Sequence, residues 1–167
     1  MARTLIKNAM IVTMDASLGD LVPGDILIDG DRIAAIGRNL EADGAEVVDG
    51  THRIIAPGFI NSHMHTWQAA LKGVAANWTL FEYFKWVHRG LATQFTPDDI
   101  GIATLFGALT QINAGTTTLV DWCHNNPTPE HTDAAIAGLF DAGIRAVFLH
   151  GSPKPDPKPG QPHYSEV

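Results

Sequence analysis

The apolar pattern changes character once, at Ala56-Pro57-Gly58, and that change constrains the fold more than any other feature of the sequence. Before it the chain reads as β. Thr4 to Met14 is rich in β-branched and apolar residues. Ile26-Leu27-Ile28 and Ile33-Ala34-Ala35-Ile36 flank Asp29-Gly30-Asp31-Arg32, and an Asp-Gly pair between two apolar runs is a strong hairpin signal. Val47-Val48 and Ile54-Ile55 are two further short strand candidates, and no helical period is present. After the change, strands alternate with helices. Phe59 to Met64 reads as a strand. Leu80 to Leu91, apolar at 80, 81, 84 and 87, suits a helix. A second helix has clearer punctuation: Thr96 is a good N-cap, Pro97 suits the first helical position, and Asp98 and Asp99 favour the positive helix end. It runs to about Asn113, with Gly115 as terminator. Thr116 to Trp122 is a β-branched strand, Thr128-Pro129-Glu130 starts another helix ending near Gly143, and Ala146 to Leu149 is a third strand.

Strands alternating with helices imply βαβ units and a parallel sheet. A closed (β/α)8 barrel needs ~250 residues, so the chain after Gly58 has room for about three of its eight strands. The expected organisation is a β-sandwich segment over 1–56 and the opening three strands of an incomplete TIM-type barrel over 57–167. The tail from Ser152 to Val167 has no apolar period, and its Lys-Pro-Asp-Pro-Lys-Pro run suits an extended polyproline-like loop.

Composition narrows the class. Acidic residues outnumber basic ones, 18 to 11, and the net charge of −7 argues against nucleic acid or an anionic membrane as partner. Apolar residues at 45% and charged residues at 17% suit a soluble globular protein. One cysteine, Cys123, rules out an internal disulfide and fits a reducing compartment. The start lacks the features of a signal peptide, and no apolar run is long enough to span a membrane. The expectation is a cytoplasmic protein.

The sharpest motif is Pro57-Gly58-Phe59-Ile60-Asn61-Ser62-His63-Met64-His65-Thr66. Two histidines lie two apart at the end of a strand, so their side chains share a face. At the C-terminal mouth of a parallel barrel that face looks into the active-site pocket. Two imidazoles there can hold one divalent metal, with other ligands brought from other strands. A bare His-x-His is common. The strand it follows and the Pro-Gly boundary before it are what favour metal binding here.

Residues 57–66 resemble the signature of the amidohydrolase superfamily, most closely the branch of cytosine-deaminase-like enzymes and triazine chlorohydrolases. The resemblance covers essentially the whole chain. The first segment looks like half of that family's small β-sandwich, and Gly115-Thr116-Thr117-Thr118 resembles its entry to the second barrel strand. The resemblance implies that His63 and His65 ligate a single zinc or iron. The other ligands, two histidines and an aspartate, would come from later strands. A metal-activated water would then cleave a C–N or C–Cl bond, with deamination of a nitrogen heterocycle the leading reaction. No catalytic acid/base residue is matched within this chain. The substrate would be a small heterocyclic amine or amide, and the full-length protein a homo-oligomer.

Gln68 falls where this branch often carries a substrate-binding glutamine; the competing reading is an exposed loop residue. Trp67, Trp78 and Trp86 lie in a segment that helps cover the pocket in this family, and aromatic walls suit a flat ring, though helix packing explains each one singly. Trp86 is taken as a substrate contact. His124 and His150 follow the second and third strands, at the barrel mouth. His124 is taken as a substrate contact, against a structural role for both. Asp121 has the same ambiguity. His52, His88, His131 and His163 are expected to be exposed, and Cys123 lacks an identifiable base partner for catalysis. The competing functional reading is a chain without chemistry of its own, either an inactive fragment or one part of a split enzyme that needs a complementing partner.

Overall fold

The structure is a computed structural model in which residues 2–151 are described. The chain divides between Pro57 and Gly58 into two compact units. The proline-rich tail and His163 lie outside the described residues.

The first unit is a five-stranded sheet built on β1 (Arg3–Ile11), β2 (Leu21–Asp29), β3 (Arg32–Gly37), β4 (Glu46–Asp49) and β5 (Ile54–Ile55). Its order is β3-β2-β1-β4, with β5 also paired to β1. The expected hairpin is β2–β3, in which Asp29 pairs with Arg32 and Gly30 takes the positive φ of +60° that the tight turn needs. Ala9, Ile11 and Ile26 form its core. Strand β1 stops at Ile11, short of the expected Met14. The Thr13 hydroxyl donates to the Gly19 carbonyl at 2.9 Å and the Asp15 carboxylate accepts from the Ser17 amide at 2.8 Å. These local bonds compete with the ladder and turn the chain. The buried Asp25 carboxylate holds two more backbone amides, those of Asn8 at 2.8 Å and Leu40 at 2.9 Å.

The second unit carries a parallel three-stranded sheet, β6 (Phe59–Met64), β7 (Thr116–Cys123) and β8 (Arg145–His150), in the order β6-β7-β8. Two helices make the crossovers: α2 (Pro97–Asn113) between β6 and β7, and α3 (Pro129–Ala142) between β7 and β8. Their limits follow from the residues. Thr96 and Asp99 exchange side-chain and backbone bonds in a capping box, with Pro97 in the first turn. Gly115 (φ +88°) and Gly143 (φ +72°) end the two helices in the left-handed region. Trp67, Ile100, Cys123 and Ala135 anchor one core cluster, and Ala108, Leu119 and Leu139 another.

The Leu80–Leu91 segment differs from expectation. Helix α1 covers only Leu80–Tyr83, the chain then widens into a π-type turn over Phe84–His88, and a 3-10 turn follows at Leu91–Gln94. Thr79 and Glu82 cap the start in a capping box, and beyond the widened turn a side chain at Gly90 would meet the Trp86 carbonyl. Two histidines expected to be exposed are buried, His88 at 5% and His131 at 8% exposure. His131 lies between the Thr128 hydroxyl (2.8 Å) and the Phe95 carbonyl (3.0 Å), whereas His88 meets the Tyr83 hydroxyl at 2.9 Å. These partners satisfy polar atoms that burial would otherwise penalise. Among the described residues, no helix is long and apolar enough to cross a membrane.

Candidate metal-binding site

Parallel strands align their carboxyl ends, and the chemistry-bearing residues of the second unit collect there. Met64 pairs with Asp121 across β6–β7, and Cys123 pairs with His150 across β7–β8. His63 is the penultimate residue of β6 and His65 lies just beyond it, while Trp122 and Cys123 end β7 and His124 follows. Asn61 accepts from the His63 amide at 3.1 Å and donates to Gln111 on α2 at 2.9 Å, beside a break in the β6–β7 register. The strand end is thereby tied to its crossover helix.

His63 and His65 form an edge-to-face pair with ring centroids 5.0 Å apart. His65 Nδ1 lies 2.7 Å from the Trp122 carbonyl oxygen. A carbonyl only accepts, so Nδ1 carries a proton, and in the neutral ring Nε2 keeps its lone pair. Metal-binding histidines are commonly oriented by such a bond, which leaves the other nitrogen to the cation. This pair therefore fits a divalent metal. Two imidazoles do not complete a site. Among the described residues, no group of three or more histidine, cysteine, aspartate or glutamate side chains is arranged to hold an ion.

The segment behind the pair is held firmly. Asp121 is fully buried and accepts from both the Thr66 amide (3.0 Å) and the Thr66 hydroxyl (2.6 Å). Burial raises the Asp121 pKa, against the opposing pull of the two Thr66 bonds. Asp121 is thus a positioning group for the turn that follows His65. Trp67 is fully buried, packs edge-to-face on Phe95, and donates its indole N–H to His124 Nδ1 at 3.1 Å.

Two further imidazole rings continue away from the pair: His124, 4.2 Å from His65, and His88, 4.5 Å from His124, between centroids. Burial, with the neighbouring His65 and His88, pushes the His124 pKa down to about 3. Gln68 is half-buried and donates to the Tyr83 hydroxyl, which also meets His88. Burial raises the Tyr83 pKa, against this bond. Gln68 also lines a groove with His63, His65, Lys72 and Phe106. Gln68 and His124 are therefore brought to the histidine pair. Trp86 is not: its indole is half-exposed under the Lys85 ammonium, 4.4 Å from the ring centre. His150 is exposed at the end of β8. Sequence reasoning missed Tyr83 and the burial of His88, whose link to Gln68 comes from the turn that follows α1. No local pattern signals that link.

Residues 54–163 match the model of the Amidohydrolase family. The chain is 32% identical over 147 residues to the 5-methylthioadenosine/S-adenosylhomocysteine deaminase of Thermococcus kodakarensis, a match covering 88% of the chain and 33% of that protein. It is 28% identical to the 5'-deoxyadenosine deaminase of Methanosarcina barkeri, over 90% of the chain and 34% of the relative. A crystal structure of an atrazine chlorohydrolase variant from Arthrobacter aurescens, complexed with zinc and atraton, superposes with a TM-score of 0.79 at 29% identity, covering 88% of the chain and 35% of that structure. The chain thus spans about a third of the length of the relatives it matches.

Proposed function

The chain belongs to the amidohydrolase family, and from that membership we propose that it supplies the first two metal ligands of a hydrolase that deaminates a nitrogen heterocycle. The observation that carries the reading is the His63–His65 pair at the carboxyl end of β6, with His65 Nδ1 committed to the Trp122 carbonyl and Nε2 left to a cation. A divalent metal held there supplies a nucleophile from water at neutral pH. Zinc is supported by the zinc complex of the chlorohydrolase, and iron suits the same imidazoles.

This chain's own residues prepare the site. Asp121 fixes the backbone after His65 through Thr66. Gln68, steadied by Tyr83, offers an amide to the edge of a flat ring, and the buried Trp67 packs against His124 beside it. The three parallel strands fit the start of a (β/α)8 barrel, and the first unit part of a small accompanying β domain. The deaminase names among the sequence relatives favour loss of ammonia from an adenine-type ring. Dechlorination of a triazine is the second reading, favoured by the chlorohydrolase structure.

The test uses the protein expressed from its complete gene. His63→Ala and His65→Ala should each lower bound metal, measured by elemental analysis, and abolish deamination of 5'-deoxyadenosine followed by ultraviolet absorbance. Full metal content and turnover in either variant would sink the assignment. Activity on atrazine with none on adenine nucleosides would select the second reading.

A further inference from the structure

Among the described residues, His124 is the histidine nearest the proposed metal pair, its ring centroid 4.2 Å from that of His65. Imidazole is the commonest protein metal ligand, so a third ring so close would ordinarily join the cation. We propose that Trp67 prevents this by fixing His124 in the Nε2–H tautomer, which leaves it a hydrogen-bond donor at the site and not a metal ligand.

An indole N–H only donates, and Trp67 Nε1 lies 3.1 Å from His124 Nδ1. Nδ1 must therefore accept, and in the neutral ring the proton sits on Nε2. Ligation through Nε2 would require that proton to move to Nδ1, where it would face the Trp67 N–H donor to donor. That arrangement loses the bond and leaves a buried donor unpaired, a costly state. Trp67 cannot turn aside. It is fully buried, packed edge-to-face on Phe95 at 5.3 Å, and follows Thr66, which two bonds tie to Asp121. His65 is held the opposite way. Its Nδ1 is the protonated nitrogen because the Trp122 carbonyl only accepts. Two neighbouring imidazoles are thus set in opposite tautomers, one with Nε2 open to a cation and one with Nε2 protonated. His124 then offers its N–H to an acceptor on a bound molecule, such as a ring nitrogen or carbonyl oxygen. Trp67 is the positioning residue.

The inference rests on the proposed function only for the placement of the cation at His63 and His65; the tautomer does not depend on it. The direct test is a long-range proton–nitrogen correlation spectrum of the complete gene product carrying isotope-labelled histidine, with the His124 signals assigned by their loss in His124→Phe. The expected result is a protonated Nε2 and an unprotonated Nδ1, with a mixture of tautomers in Trp67→Phe. A protonated Nδ1 in the unaltered protein would overturn the proposal. The second measurement is cobalt(II) affinity and visible absorption. His124→Phe should change neither, and a loss of about tenfold or more, the scale of a lost ligand or its support, would also overturn it. Neither the spectrum of the unaltered protein nor the His124→Phe titration depends on Trp67→Phe folding. Should His63→Ala leave cobalt affinity intact while His124 still shows Nε2–H, the metal assignment fails and the tautomer lock stands.

Discussion

At the scale of single residues, the site depends on which side chains are paired and which are sealed. Cys123 shows the second case. It is fully buried between the residues that orient the site, and burial pushes its thiol pKa up to about 12. The thiolate is the reactive form, and at pH 8 such a group is ionised to only about one part in ten thousand. Cys123 is the sole cysteine, so its labelling is unambiguous. Iodoacetamide at pH 8 should leave the native chain unmodified by mass spectrometry, and add one label after denaturation. Labelling of the native chain at the rate of a free thiol would show that the carboxyl end of β7 opens to solvent. The same scale shows what could be read from sequence. That His63 and His65 would lie together was legible in their spacing at a strand end, and their rings are 5.0 Å apart. The burial of His88 and His131 was not, because their partners, Tyr83 and the Phe95 carbonyl, are brought to them by the fold and not by a repeating pattern. Trp86 carried the same composition signal as Trp67, yet only Trp67 turns toward the histidines.

At the scale of elements, boundaries were legible wherever a cap or terminator marks them. Thr96-Pro97 and Gly115 bracket α2, and Pro129 and Gly143 bracket α3. The Leu80–Leu91 segment carried apolar spacing but no terminator that distinguishes a helix from a widened turn, and there the expectation failed. Contact between helices was also invisible in sequence, although small residues make it. A Cβ added at Gly138 on α3 would lie 2.6 Å from the Gly101 carbonyl oxygen and 3.1 Å from the Leu105 amide on α2. These are backbone atoms, so relief requires the helices to separate. Overpacking of this kind costs about 1–3 kcal/mol, against a gain of up to about 1 kcal/mol from alanine's better helix propensity. The first effect wins. Gly138→Ala should lower the thermal midpoint of the complete gene product by several degrees in a calorimetric scan. An unchanged or raised midpoint would mean that the α2–α3 contact yields cheaply.

At the scale of the whole molecule, the question is what the described surfaces demand. Strands of parallel sheets are normally covered on both faces, and unpaired edges invite association. Here β6 is an edge, with Phe59 at 68% and Ile60 at 72% exposure, and β8 is the other, with Val147 at 53%. On α2, Ile102, Phe106 and Leu109 are exposed at the spacing of one helix face. The order of strands and helices was legible in the sequence, but the exposure of these faces was not, because it depends on contacts between elements far apart in the chain. Two forces then act on the 167-residue chain expressed by itself. Its charge of −7 repels copies of the chain, but salt at physiological strength screens that repulsion beyond about 8 Å. Burial of a large apolar side chain contributes about 1.5–3 kcal/mol, and several are exposed on each face. Attraction therefore prevails, and it strengthens as salt weakens the opposing charge. Light scattering should show the chain self-associating at micromolar concentration, more so at higher ionic strength. Replacing Ile60 and Val147 with lysine should shift the population toward the 18.0 kDa monomer. A monodisperse monomer at high salt, without those substitutions, would show that the exposed faces are not sticky and that the sheet edges need no cover.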